Sequence, residues 1–149
     1  MKRAAFQDFF KSATPIILPV IHVISEAQTV FNLDKLIRAG IKGCFLINHD
    51  FDVETFLPII RSIRKSYPDF WMGINFLAVT GFHAFPILAS LKNEGCHIDA
   101  YWGDDARIDE RQPHQAEAEA IAKTRLECGW TGLYFCLLYT SDAADDLRG

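Results

Sequence analysis

The chain has 149 residues, of which 50% are hydrophobic and 23% charged, with a formal net charge of −4. That length suits one ordinary hydrophobic core, and that composition excludes a disordered chain. The acidic balance offers no basic footprint for nucleic acid. Lys2 and Arg3 precede the apolar run Ile16 to Ile24, which raises the question of a signal peptide. The run contains Pro19 and His22, lacks a small-residue cleavage site and is too short to span a bilayer, so it reads as a strand. The four cysteines (Cys44, Cys96, Cys128, Cys136) lack close metal-ligand spacing and read as reduced structural thiols of a cytoplasmic protein.

Met1 to Thr14 is polar with a few aromatics and is expected to pack loosely at one end. Pro15 to Val23, rich in β-branched residues, reads as the first strand. Ser25 is a suitable N-cap for a helix running to about Arg38, in which Val30, Leu33 and Ile37 form an apolar stripe and Gly40 supplies the left-handed end. Gly43 to Ile47 is the second strand. It breaks off into Asn48, His49 and Asp50, the pattern of a buried parallel strand that delivers polar side chains at its carboxyl end. Asp52 then caps a second helix with the apolar face Val53, Phe56, Leu57, Ile60 and Ile63, kinked at Pro58.

Phe70 to Phe76 is the third strand, with Asn75 near its tip. Thr80 caps a third helix that ends at Gly95, and Pro86 makes its start irregular. Ile98 to Trp102 is the fourth strand and delivers Asp104 and Asp105. Gln115 to Cys128, rich in Ala and Glu, is the clearest helix, and Leu133 to Phe135 begins a fifth strand. Strands alternating with helices predict an α/β fold with a parallel sheet. Each unit takes about 25 to 30 residues and a closed eight-stranded barrel about 250, so five units suit the N-terminal part of a (β/α)8 TIM barrel. The competing fold is a five-stranded doubly wound sheet of flavodoxin type. The first strand has no glycine-rich phosphate turn after it, which favours the barrel.

Residues 136 to 145 read CLLYTSDAAD and resemble the translation of a transposase sequencing adapter, known from the broken ends of metagenomic reading frames. The expectation is a truncated barrel domain over residues 1–135 and a non-native tail over 136–149. Such a fragment is expected to be inactive by itself, and either insoluble or a homo-oligomer that pairs its open strand edges.

In parallel barrels, ligand-binding groups gather at the carboxyl ends of the strands. Those positions here hold His22; Asn48, His49 and Asp50; Asn75; and Asp104 with Asp105. His22 and Asp104 are the candidates for acid–base catalysis, because a carboxylate near an imidazole can move a proton. Asn48, His49, Asp50, Asn75 and Asp105 are the candidates for substrate binding. Each also has a structural reading: His22 as an interior histidine, Asn75 as a bridge to a neighbouring strand, and the aspartates as loop or cap residues. The sequence has no HExxH, P-loop or Rossmann fingerprint, assigns no metal and identifies no cofactor.

Pro19-Val20-Ile21-His22-Val23, Ile47-Asn48 and Gly73-Ile74-Asn75-Phe76-Leu77 together resemble the BtpA-like proteins, over about Ile16 to Phe135. Where that family has an acidic residue before the second-strand asparagine, this chain has Ile47. Where typical members have a proline-rich loop after the histidine, it has Ile24-Ser25-Glu26. The resemblance implies a TIM barrel related to phosphate-binding barrels, whose phosphate site follows strands seven and eight and so falls outside this chain. The function expected from these readings is binding or conversion of a small polar metabolite, phosphorylated or not, with no nucleic acid and no membrane insertion. The alternative is a non-catalytic assembly factor, since the founding BtpA-like member is linked to photosystem I biogenesis.

Overall fold

Apolar runs of four to six residues alternate with helical stretches along the chain, and each run becomes a strand of one sheet. The computed structural model describes residues 3–11, 16–109 and 111–136. In chain order the elements are α1 (Arg3–Phe10), β1 (Val20–Val23), α2 (Glu26–Arg38), β2 (Gly43–Asn48), α3 (Val53–Ser66), β3 (Trp71–Phe76), α4 (Gly81–Asn93), β4 (Ala100–Gly103), α5 (Ala116–Cys128) and β5 (Leu133–Cys136). The sheet order is β1-β2-β3-β4-β5 and every neighbouring pair is parallel. Among the described residues, no helix is long and apolar enough to cross a membrane.

Local signals account for most boundaries. The Ser25 hydroxyl and the Asp52 carboxylate accept from the N–H groups of Gln28 and Thr55 and so cap α2 and α3. Gly40, Gly95 and Gly129 take positive φ just beyond α2, α4 and α5. Thr80 precedes α4 in extended backbone but makes no side-chain cap bond, in contrast to its expected role. α3 and α4 each continue past an internal proline.

Two expectations need correction. The N-terminal segment does not pack loosely: residues 3–10 are helical, and the Phe6 and Phe10 rings lie 5.5 and 5.8 Å from that of Trp71. Aromatics at i, i+3 and i+4 (Phe6, Phe9, Phe10) are the helical signal in that stretch. The first strand is also shorter than Pro15 to Val23, because regular pairing with β2 starts only at Val20. Residues 12–15 and the tail from 137 onward lie outside the described residues. Cys136, assigned above to the tail, closes β5 opposite Gly103.

The two faces of the sheet differ. Cys44, Leu46, Met72, Ile74, Phe76 and Tyr101 belong to the main core, together with apolar residues of α2 to α5 such as Leu33, Ile60, Leu88 and Ile121. The opposite face carries a smaller cluster of Phe45, Trp71 and Ala100, covered by Phe6 and Phe10 of α1. Its side chains fall into rows across the strands. One row is Val20, Phe45, Gly73, Ala100 and Leu133. Two residues nearer the carboxyl end, His22, Ile47 and Asn75 are in register, and continuing the β3–β4 and β4–β5 pairings adds Trp102 and Phe135. Gly73 is required in the first row, since a Cβ there would fall within the Phe45 ring.

A buried ion pair fastens the amino end of the sheet. Arg64, near the end of α3, donates to Asp99 Oδ2 at 2.9 Å and to the carbonyls of Tyr67, Pro68 and Phe70. Asp99 also accepts from the Met72 N–H at 2.9 Å and meets His97 Nε2 at 3.4 Å. Burial opposes the charge of Asp99, yet the His97 hydrogen bond, the Met72 N–H and Arg64 together hold its carboxyl below the usual range. A carboxyl depressed in the folded state contributes stability that is complete above its unfolded pKa, about 3.9, and is lost as pH falls through the folded value. Asp99→Asn leaves the buried Arg64 charge uncompensated and should cost about 3–5 kcal/mol at neutral pH. Urea unfolding as a function of pH should also show a flatter acid limb in the variant than in the parent.

Candidate functional site

The carboxyl ends of the strands carry polar side chains on the face away from the main core and in the adjoining loops. His22, next to last in β1, points to that face, because Ile21 and Val23, its neighbours on either side, take the core positions. Its Nε2 lies 2.9 Å from Asp50 Oδ2 in the β2–α3 loop, and the His49 ring centroid is 4.6 Å from its own. In neutral His22, Asp50 holds the proton on Nε2 and leaves Nδ1 as the basic nitrogen. Gln28 fixes the turn beneath: its side-chain amide donates to the His22 carbonyl at 3.1 Å and accepts from the Ile24 N–H at 3.3 Å. Both His22 and Asp50 remain in contact with solvent.

A second cluster lies at the tips of β3 and β4. Asn75 is fully buried, and its amide nitrogen donates to the Trp102 carbonyl at 2.9 Å and to Asp104 Oδ1 at 2.7 Å. Asp104 Oδ2 accepts from the N–H of Ala78 at 2.8 Å. Ala78 takes a φ of 61°, a left-handed conformation that costs a non-glycine residue about 1–2 kcal/mol. The Asn75 carbonyl oxygen has no hydrogen-bond partner among the described residues.

Two of the expected binding residues are placed differently. Asn48 lies on the main-core side of β2. Its amide donates to the Phe51 carbonyl at 2.7 Å and accepts from the Leu77 N–H at 3.2 Å, so it fastens the β2–α3 loop to the end of β3. Asp105 turns into its own loop, where it accepts from the Arg107 N–H at 2.6 Å and pairs with Arg107 Nε at 3.1 Å. The site therefore gathers His22, His49 and Asp50 in one cluster and Asn75 with Asp104 in another, with Asn48 bracing the loops. Sequence reading missed Gln28, the Trp102 carbonyl and the bend at Ala78. None carries a motif, and only the fold brings them to the rim.

One cavity adjoins the second cluster at Ala78, and other features lie farther away. A cavity of about 430 Å³ is lined by Ala78, Thr80, His83, Arg107 and Glu117. A groove of about 540 Å³ runs between α4 and α5, with Phe85, Ile121, Leu126 and Trp130 among its walls. Among the described residues, no group of three or more His, Cys, Asp or Glu side chains is placed to hold a metal ion. All four cysteines are free thiols, and burial pushes that of Cys44 up to about 12. Compared with protein-family models, curated proteins and solved structures, the chain matches none.

Asp104 joins Asn75 to Ala78, so it contributes to stability as well as offering a carboxylate to the rim. Asp104→Asn sets an amide N–H against one of two donors and should destabilise the chain by about 1–3 kcal/mol. Urea denaturation of parent and variant measures this, and an unchanged midpoint would mean that neither contact contributes.

Proposed function

We propose that this chain is part of a TIM-barrel protein that binds, and through His22 converts, a small polar metabolite at the carboxyl ends of its strands. The observation that carries the reading is the His22–Asp50 contact of 2.9 Å, on the same rim as Asn75 and Asp104. An imidazole oriented by a carboxylate is a proton carrier, and its position beside His49 in a solvent-accessible rim gives it a route to a substrate. Asp104, held by two donors, is the second candidate for proton transfer or for binding.

The barrel reading rests on the sequential order of the strands and on the packing of α2 to α5 against one face. A doubly wound sheet places helices on both faces and reverses its strand order at a switch point. The resemblance to BtpA-like proteins agrees with the barrel and would place any phosphoryl group near later strands. Reduced, largely buried thiols suit a cytoplasmic protein.

His22 is exposed and contributes little to the core, which makes it the position at which function and folding separate. Ligand-observed NMR of a mixture of small polar metabolites with the full chain should identify binders. Each should lose at least about tenfold in affinity in His22→Ala, a change of about 1.4 kcal/mol, at an unchanged unfolding midpoint. Binding that survives His22→Ala intact would remove His22 from the site and overturn the reading.

A further inference from the structure

The cavity of about 430 Å³ beside Ala78 lies between the start of α4 and the start of α5. Its volume falls within the range of about 300–1,000 Å³ that small-molecule sites occupy. Helices and loops alone line it, with Thr80, Phe82, His83, Arg107, Glu117 and Ile121 among its walls. The Arg107 and Glu117 side chains are 50% and 73% exposed, so solvent and solutes reach the charged wall. Gly81 seats the start of α4 closely on α5, since a Cβ there would meet Ile121 and Phe85.

That wall carries both signs of charge, and the protein uses little of it. Arg107 Nε lies 3.1 Å from Asp105 Oδ2 and 3.6 Å from Glu117 Oε2. Among the described residues, the two terminal nitrogens of Arg107 donate no hydrogen bond. The Thr80 hydroxyl makes no cap bond to α4. The N–H groups of Gly81 and Phe82, in the first turn, have no carbonyl of their own helix to meet. A helix start of this kind favours a negative group. An exposed ion pair such as Arg107–Glu117 contributes little to stability, so neither partner is committed to holding the fold.

A simple anion would gain from Arg107 and the helix start but would meet Glu117 and Asp105. A simple cation would gain from Glu117 but would meet Arg107. A molecule with opposite charges a few ångströms apart satisfies both sides of the wall.

We propose that this cavity binds a free α-amino acid with a small aliphatic side chain. The ligand carboxylate accepts from the terminal nitrogens of Arg107 and from the Thr80 hydroxyl, and the ammonium donates to Glu117. The aliphatic group rests on Phe82 and Ile121. None of His22, His49 and Asp50 lines the cavity, so this site goes beyond the reading of the rim and does not depend on it.

The test is an NMR titration of the isotope-labelled full chain with three probes of one carbon skeleton. L-valine carries both charges, isovalerate only the carboxylate and isobutylamine only the ammonium. Valine should shift the Thr80, Phe82 and Arg107 resonances in a saturable way, and each single-charge probe should bind at least about tenfold more weakly. Glu117→Gln should weaken valine at least about tenfold at an unchanged unfolding midpoint, while isovalerate binds no more weakly than before. If that variant fails to fold, the three probes on the parent chain decide the matter. Isovalerate or isobutylamine binding as tightly as valine would overturn the inference. So would valine leaving the cavity resonances unmoved, or binding a folded Glu117→Gln chain undiminished. Free amino acids are left out of the metabolite mixture screened against His22→Ala, so the two readings fail separately.

Discussion

The ring of Phe45 lies where a side chain on Gly73 would otherwise be, and the smaller face of the sheet is built around that fit. From there the ring makes edge contacts with Trp71, Trp102 and Phe135, at centroid distances of 5.4, 5.8 and 5.7 Å. Phe45 and Trp71 thus lie nearer the amino end of this face, and Trp102 and Phe135 extend the row that carries His22, Ile47 and Asn75. α1 closes the same face from the amino end through Phe6 and Phe10. A polar rim can be held in fixed geometry because the layer beneath it is close-packed, and close packing leaves little room for adjustment.

The two ends of the sheet divide their work. At the amino end, Arg64 and Asp99 bury opposite charges and join α3, β3 and the start of β4, while the buried Arg64 Nε and Trp71 Nε1 have no hydrogen-bond partner among the described residues. At the carboxyl end the polar groups are only partly used: His22 and Asp50 stay in contact with solvent, and one oxygen of Asn75 has no partner among the described residues.

Much of this architecture is legible in the sequence. Asp52 before Val53 and Ser25 before Glu26 mark helix starts through cap chemistry alone, and the glycines at 40, 95 and 129 mark the ends. The polar tips of the strands are equally plain, because apolar runs such as Gly43 to Ile47 stop abruptly. What the sequence does not encode locally is the direction of each tip residue. Asn48 and Asn75 look alike as asparagines near strand ends. Strand parity sends the first into loop bracing and the second onto the opposite face. Asp104 and Asp105 are adjacent, yet one bonds across to β3 and the other folds into its own loop. α1 escapes notice because eight residues with weak propensity become helical by docking Phe6 and Phe10 on Trp71, a contact that only the assembled sheet provides.

On the reading proposed above, this protein meets a small polar molecule at the rim and not in the apolar groove between α4 and α5. Backbone and side-chain resonance mapping of the full chain with its bound metabolites tests this most directly. The shifts are expected to cluster at His22, His49, Asp50, Asn75, Ala78 and Asp104. Shifts confined to Ile121, Arg125, Leu126 and Trp130, with the rim silent, would contradict it.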